Sequence, residues 1–266
     1  MKTQQFLITL AFIITLSSCV EKVPITGRKQ LSIVQESELI GMSLTEYKKF
    51  LSTHTVVPES DPNAQLVKKV GLKIQAATTK FMSERGLSKR IQGYKWEFNT
   101  IADPAINAWC MPGGKVVVYT GLLPVTQDET SLAIVIGHEI AHAVARHGNE
   151  RMSQGLIVQA GGLALQVALS QKPKETQNIF LQSFGLTSQL GILKYSRVHE
   201  SEADKLGLVF AAMAGYDPNT AISFWQRMAA QSKQQPIELL STHPSDETRI
   251  ADIKKFLPEA MKYYAK

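Results

Sequence analysis

Cysteine occurs only twice in the 266 residues, at positions 19 and 110, so a disulfide framework is excluded. Long apolar runs are missing too. The N-terminal run extends only from Phe6 to Leu16, well short of the roughly 20 residues a stable transmembrane helix needs. The most apolar internal stretch, GLIVQAGGLALQVAL at 155–169, is interrupted by Gln159 and Gln166 and reads as a buried core helix. Charge of one sign never gathers into a block. The 29 Lys and Arg against 23 Asp and Glu leave a net charge of +6, spread along the chain, which describes a mildly basic surface without a nucleic-acid footprint.

What is present suits one globular domain: 44% hydrophobic residues can build a core of ordinary size without covalent staples. Ahead of that domain, Lys2, the apolar run and the small residues ending at Cys19 form a secretory signal pattern. Leu16-Ser17-Ser18-Cys19 resembles a bacterial lipobox, which implies cleavage before Cys19 and acylation there. Two or more acyl chains would give durable membrane attachment. With Cys19 lipidated, Cys110 has no disulfide partner. The expected organisation is a signal peptide over 1–18, a tether over 19–34 punctuated by Pro24, Thr26 and Gly27, and one domain over 35–266.

Apolar residues recur at helical spacing over Glu36 to Ser52 and Asn63 to Glu84, and Asp61-Pro62 is a start signal for the second. The period then changes. WEFNTIA (96–102) and KVVVYTG (115–121) are β-branched and aromatic, and they bracket the turn Met111-Pro112-Gly113-Gly114, so a small sheet with a hairpin is expected. From Asp128 onward the pattern is helical almost to the end. The fold class is therefore α+β, mostly α-helical.

The chemistry concentrates in IVIGHEIAHAVARHG, residues 134–148. On a helix, residues four apart share a face, so His138 and His142 can turn imidazole nitrogens toward one ion. Glu139 lies about 100° round the helix, beside the ion without ligating it. This is the H-E-x-x-H arrangement of zinc metalloproteases. Burying two imidazoles and a carboxylate together costs several kcal/mol unless all are paired, and one Zn2+ resolves that cost.

A catalytic zinc takes three protein ligands and keeps one position open. The third ligand is expected from SRVHESEADKLG, residues 196–207, where Glu200, Ala203, Asp204, Gly207 and Ala211 share a face whose small side chains permit close helix approach. Glu200 is the candidate ligand, and Asp204 is placed to accept the other N–H of a ligand histidine. Glu202 points about 200° away from Glu200. His147 and His199 lie off the shared faces and are expected to cap helix ends or meet solvent.

With these motifs in order, the sequence resembles the gluzincin metallopeptidases of the HtpX, BepA and LoiP type, relatives of the CAAX prenyl proteases. The residues that carry the likeness are H-E-x-x-H at 138–142, E-x-x-x-D at 200–204, THPSDETRI at 242–250 and NAWCMPGGKVVVYTGLL at 107–123. It covers about Asp61 to Leu257 and implies a zincin-like domain, endopeptidase activity, zinc on His138, His142 and Glu200, and Glu139 as general base.

For His243 and Arg249 the resemblance implies stabilisation of the oxyanion, or, for His243, closure of the open zinc position. Thr242-His243-Pro244 also fits a plain helix start. Ala105 to Cys110, with Asn107 and Ala108 at its centre, is the candidate strand edge for pairing with an extended substrate. Transmembrane helices as in HtpX-type members and C-terminal repeats as in BepA-type members have no counterpart in the sequence, which is most like LoiP. Taken together, the expectation is a lipid-anchored endopeptidase on the periplasmic side of a bacterial outer membrane, acting on unfolded or damaged envelope proteins. The alternative is a metal-stabilised chaperone or scaffold whose zinc site is closed. Nothing in the sequence fixes an oligomeric state.

Overall fold

In the computed structural model, the described residues are 20–160, 173–184, 196–232, 237, 239–240, 243 and 247–264. The two expected N-terminal helices form as α1 (Glu36–Thr53) and α2 (Pro62–Glu84). Asp61 caps α2 by accepting from the Asn63 N–H at 2.7 Å, and Pro62 at the first position carries no amide hydrogen to leave unsatisfied.

The sheet comprises β3 (Glu97–Ile101), β4 (Ala108–Met111) and β5 (Lys115–Tyr119) in the order β3-β5-β4. β4 and β5 make the antiparallel hairpin, turning at Gly113 and Gly114, both at positive φ, where a side chain would be strained. β3 runs parallel to β5 on its other side. The central strand KVVVY is buried along its whole length, as a two-faced strand requires. One face packs on the main core. The other packs with α1 through Tyr47, Ile101, Trp109, Met111, Val117 and Tyr119.

After the short α3 (Leu123–Thr126), the chain enters α4 (Glu129–Ala145), buried from Ser131 to its end. Asp128 caps it by accepting from the Ser131 N–H at 2.7 Å. α5 (His147–Ala160) and α6 (Pro173–Ser183) follow and pack with α1 in a smaller core around Leu39, Met152 and Phe180. The expected core helix at 155–169 is described only to Ala160, where α5 ends. Leu156 there is buried, but Ile157 and Val158 are exposed. α7 (Arg197–Met213), α8 (Thr220–Ser232) and α9 (Glu247–Tyr264) complete the helical layer, α7 lying against α4. Among the described residues no helix is long and apolar enough to cross a membrane.

The segment expected as a tether is folded from Val20 onward. β1 (Val20–Lys22) pairs antiparallel with β2 (Lys29–Leu31), so Pro24, Thr26 and Gly27 are hairpin-turn residues rather than linker punctuation. Val23 enters the main core. Gln30 is buried and donates to the Ala145 carbonyl at 2.8 Å, closing the end of α4. The folded domain therefore includes residues 20–34, ahead of the expected start at 35. Residues 1–19, Cys19 included, lie outside the described residues.

Candidate metal centre

α4 and α7 cross at two glycines. A Cβ on Gly137 would lie 2.9 Å from the Gly207 carbonyl oxygen, and one on Gly207 would lie 2.8 Å from the His138 backbone nitrogen. That approach brings Glu200 to the two histidines of α4. His138, His142, Glu200 and His243 each offer a ligand atom, all four within 4.8 Å of one another and all buried.

The geometry is tight. His138 Nε2 lies 3.0 Å from His142 Nε2 and 3.2 Å from His243 Nδ1. Glu200 Oε1 lies 3.3 Å from His142 Nε2 and 3.0 Å from His243 Nδ1, and Oε2 lies 3.5 Å from His138 Nε2. Three imidazoles, each with a ring nitrogen turned to one point beside a carboxylate, are an N/O donor set that fits a zinc ion. Burial opposes the Glu200 charge, but His243 and Arg249 outweigh it and hold its pKa well below the ordinary value.

Glu139 stands beside this cluster. Its Oε1 is buried without a hydrogen bond and lies 3.7 Å from His243 Nε2. Burial pushes its pKa up to about 7, against the pull of His243.

Asp204 lies where expected, with Oδ1 3.0 Å from His138 Nδ1. Arg249 reaches the same carboxylate twice, Nη2 to Oδ1 at 2.7 Å and Nε to Oδ2 at 2.8 Å, and places Nη1 3.1 Å from Glu200 Oε2. Its guanidinium lies 3.5 Å over the Trp225 ring. Those contacts tie the Asp204 and Glu200 carboxylates together.

β4 is a sheet edge, and Asn107 and Ala108 are buried there, 7% and 2% exposed. The Asn107 carbonyl accepts from the Tyr119 N–H, while its side chain accepts from the Ala108 N–H at 2.9 Å. Next to them, the Leu239 N–H donates to the Ile106 carbonyl at 3.1 Å, so the chain's own segment already uses one edge acceptor.

His147 and His199 correct their expectation as helix caps or solvent-facing groups. Both are buried, and their rings stack at 4.6 Å. His147 Nδ1 lies 3.0 Å from His142 Nδ1, and its Nε2 lies 3.1 Å from Glu202. His199 Nε2 lies 2.9 Å from Glu150. Burial pushes the His147 pKa down to about 4 despite Glu202, which leaves the ring neutral near pH 7. Glu202 does point away from Glu200's partners, but into this buried layer. Burial works against its charge, yet hydrogen bonds from His147, Arg28 and Thr26 hold its pKa down at about 2.

Sequence reasoning missed Arg28, His147, Glu150 and Trp225. The spacing of His147 and Glu150, three apart just past H-E-x-x-H, was a usable signal for two of them. Arg28 and Trp225 carry none.

Comparison with known proteins agrees with this geometry. Residues 70–257 match the model of Peptidase family M48. The "Mitochondrial metalloendopeptidase OMA1" of Schizosaccharomyces pombe is 36% identical over 244 residues, 90% of this chain and 67% of that protein. The human "Metalloendopeptidase OMA1, mitochondrial" is 29% identical over 262 residues, 95% of this chain but 49% of the human one. A "Putative beta-barrel assembly-enhancing protease" of Vibrio cholerae is 34% identical over 167 residues, 59% of this chain and 34% of that protein. The expected location at a bacterial outer membrane is overturned here, because the relatives that match over nearly the whole chain are named as mitochondrial proteases. Family model, relatives and donor set converge: the chain belongs to peptidase family M48 and is a zinc metalloendopeptidase.

Proposed function

We propose that His138, His142 and Glu200 hold the zinc ion, that Glu139 is the general base, and that the substrates are unfolded or damaged proteins. The observation that carries this reading is the convergence of the ligand atoms within 4.8 Å beside a buried Glu139. Zinc, when bound there, supplies Lewis acidity toward the scissile carbonyl and makes water a competent nucleophile near neutral pH. Glu139 takes the proton of the attacking water and delivers it to the leaving amine. An unfolded chain suits the site, because an extended segment can pair by main-chain hydrogen bonds with the outer edge of β4, once the Asn107 side chain gives up the Ala108 N–H. Quality control fits the names of the relatives, a metalloendopeptidase and an assembly-enhancing protease.

In this arrangement His243 fills the fourth side of the cluster and must withdraw for substrate to enter, after which its ring donates to the oxyanion. Arg249 holds Asp204 and Glu200 in place throughout. Membrane attachment through an acylated Cys19 belongs to the same reading. Mass spectrometry of the mature N-terminus tests it, and an unmodified Cys19 would remove it.

The four-sided cluster also supports a second reading, a chaperone or scaffold with a closed zinc site. Casein digestion with and without a chelator decides. Chelator-sensitive cleavage by the wild type or by His243→Ala establishes the protease; aggregation suppression with no cleavage by either establishes the scaffold.

A further inference from the structure

The two histidines of α4 each turn a second nitrogen, Nδ1, away from the cluster. For His138 the partner is Asp204, clamped in turn by Arg249. For His142 the partner is another histidine, with His147 Nδ1 at 3.0 Å. His147 Nε2 then meets Glu202 Oε2 at 3.1 Å. Glu202 accepts from the Thr26 hydroxyl at 2.6 Å and from Arg28 Nε and Nη2, each at 2.9 Å.

Two facing imidazole nitrogens need one proton between them. If His142 Nε2 offers its lone pair to the ion, its proton is on Nδ1 and donates to His147 Nδ1. The proton of His147 is then on Nε2 and donates to Glu202, which only accepts. Every tautomer along the line is set from the carboxylate end. Arg28 is itself fixed at a second point, Nη1 and Nη2 reaching Glu150 at 2.8 and 2.7 Å. Glu150 also meets His199, whose ring closes one face of His147.

We propose that Arg28, Glu202 and His147 form a positioning relay that acts through His142 on the zinc ion, which makes the N-terminal hairpin β1–β2 part of the metal site. The relay rests on the reading of His142 as a ligand. It gives the second zinc histidine what Asp204 gives the first, a fixed ring and a more basic ligating nitrogen. The difference is reach: the inserted imidazole carries the influence of a carboxylate on α7, and of an arginine before β2, across to His142.

The test uses the full chain. Zinc Kd is measured by competition with a chromogenic chelator, alongside thermal unfolding of the zinc-free protein. His147→Phe and Glu202→Gln are each expected to weaken zinc about 10-fold or more. The double variant is expected to bind no more weakly than His147→Phe alone, because a line cut at His147 cannot be cut again. Asp204→Asn, on the other histidine, multiplies with either. Zinc Kd within two-fold of wild type for both single variants overturns the relay, as does an equal loss from Glu202→Gln with and without His147. Should zinc-free His147→Phe fail to fold, Glu202→Gln and Arg28→Gln carry the same test, with a combined loss below the product of the single losses expected and a full product overturning it. His142→Ala separates the two readings: wild-type zinc Kd there overturns the ligand assignment and the relay with it, whereas zinc loss there with intact binding in the relay variants overturns the relay alone.

Discussion

Gly137 on α4 and Gly207 on α7 face each other so closely that neither position has room for a methyl group. The contact lies one residue before His138 and two turns beyond Glu200, so it sets how far the carboxylate stands from the imidazoles. Gly207→Ala puts a Cβ 2.8 Å from backbone, where no side chain can swing aside. Overpacking of this kind costs about 1–3 kcal/mol. We expect a melting temperature lower by roughly 2–10 °C, together with weaker zinc binding measured by chelator competition. Unchanged zinc affinity in a destabilised variant would mean that the helix spacing does not control the site.

Glu139→Gln keeps the shape and removes the proposed base. Peptide cleavage is expected to fall by at least the roughly 10²–10⁴-fold that general-base catalysis contributes, while elemental analysis still finds one zinc per chain. Wild-type turnover in this variant would take Glu139 out of the reaction.

Arg249 bridges Asp204 and Glu200 while buried against Trp225. Arg249→Ala leaves two buried carboxylates without it, and removing one partner of a buried pair costs about 3–5 kcal/mol. Chemical denaturation of the zinc-free protein should show that loss. Arg249→Lys is expected to recover only part of it, since an ammonium cannot hold Asp204 bidentately.

A pH effect is expected at the start of α4. Hydrogen bonds from Lys69 and Tyr216 hold the Glu129 pKa down at about 2, against an ordinary value of 4.5. A depressed carboxylate stabilises the fold above pH 4.5, and that contribution disappears as pH falls from there toward 2. Lys69 and Lys73 are solvent-exposed, so the contribution is about 0.5–1 kcal/mol. Urea unfolding of chelated wild type and Glu129→Gln should differ by this amount at pH 7, with the difference shrinking below pH 4.5 and closing near pH 2. A difference that does not shrink on acidification would refute the assignment.

The parts of the site that a reader of the sequence can place are those with a helical period. His138, His142 and Glu139 follow from spacing along one helix, and Glu200 with Asp204 from a face of small residues on another. The structure brings these together. Beyond one helix face the sequence gives less. Nothing local says that Arg28, in a turn rich in Pro, Thr and Gly, lies against Glu150 and Glu202, because that pairing is made by tertiary packing of a hairpin whose strands are three residues each. His147 lies off the face of His142 by helical geometry, yet the chain passes Arg146 in the left-handed region, breaks the helix there, and turns His147 back toward it. The strand WEFNTIA was legible as a strand but not as the parallel neighbour of β5, since periodicity carries no information on pairing partner.

Arg28 has a consequence for the order of events during synthesis. It leaves the ribosome before Glu150 and Glu202, and Arg249 comes after both. At about 5–20 residues per second, the first and last of these are separated by roughly ten to forty seconds. The hairpin has no buried carboxylates to hold it until α5 and α7 exist, and the metal pocket lacks its last support until α9 does. In a nascent chain of this build the pocket is assembled only after α9 has been made.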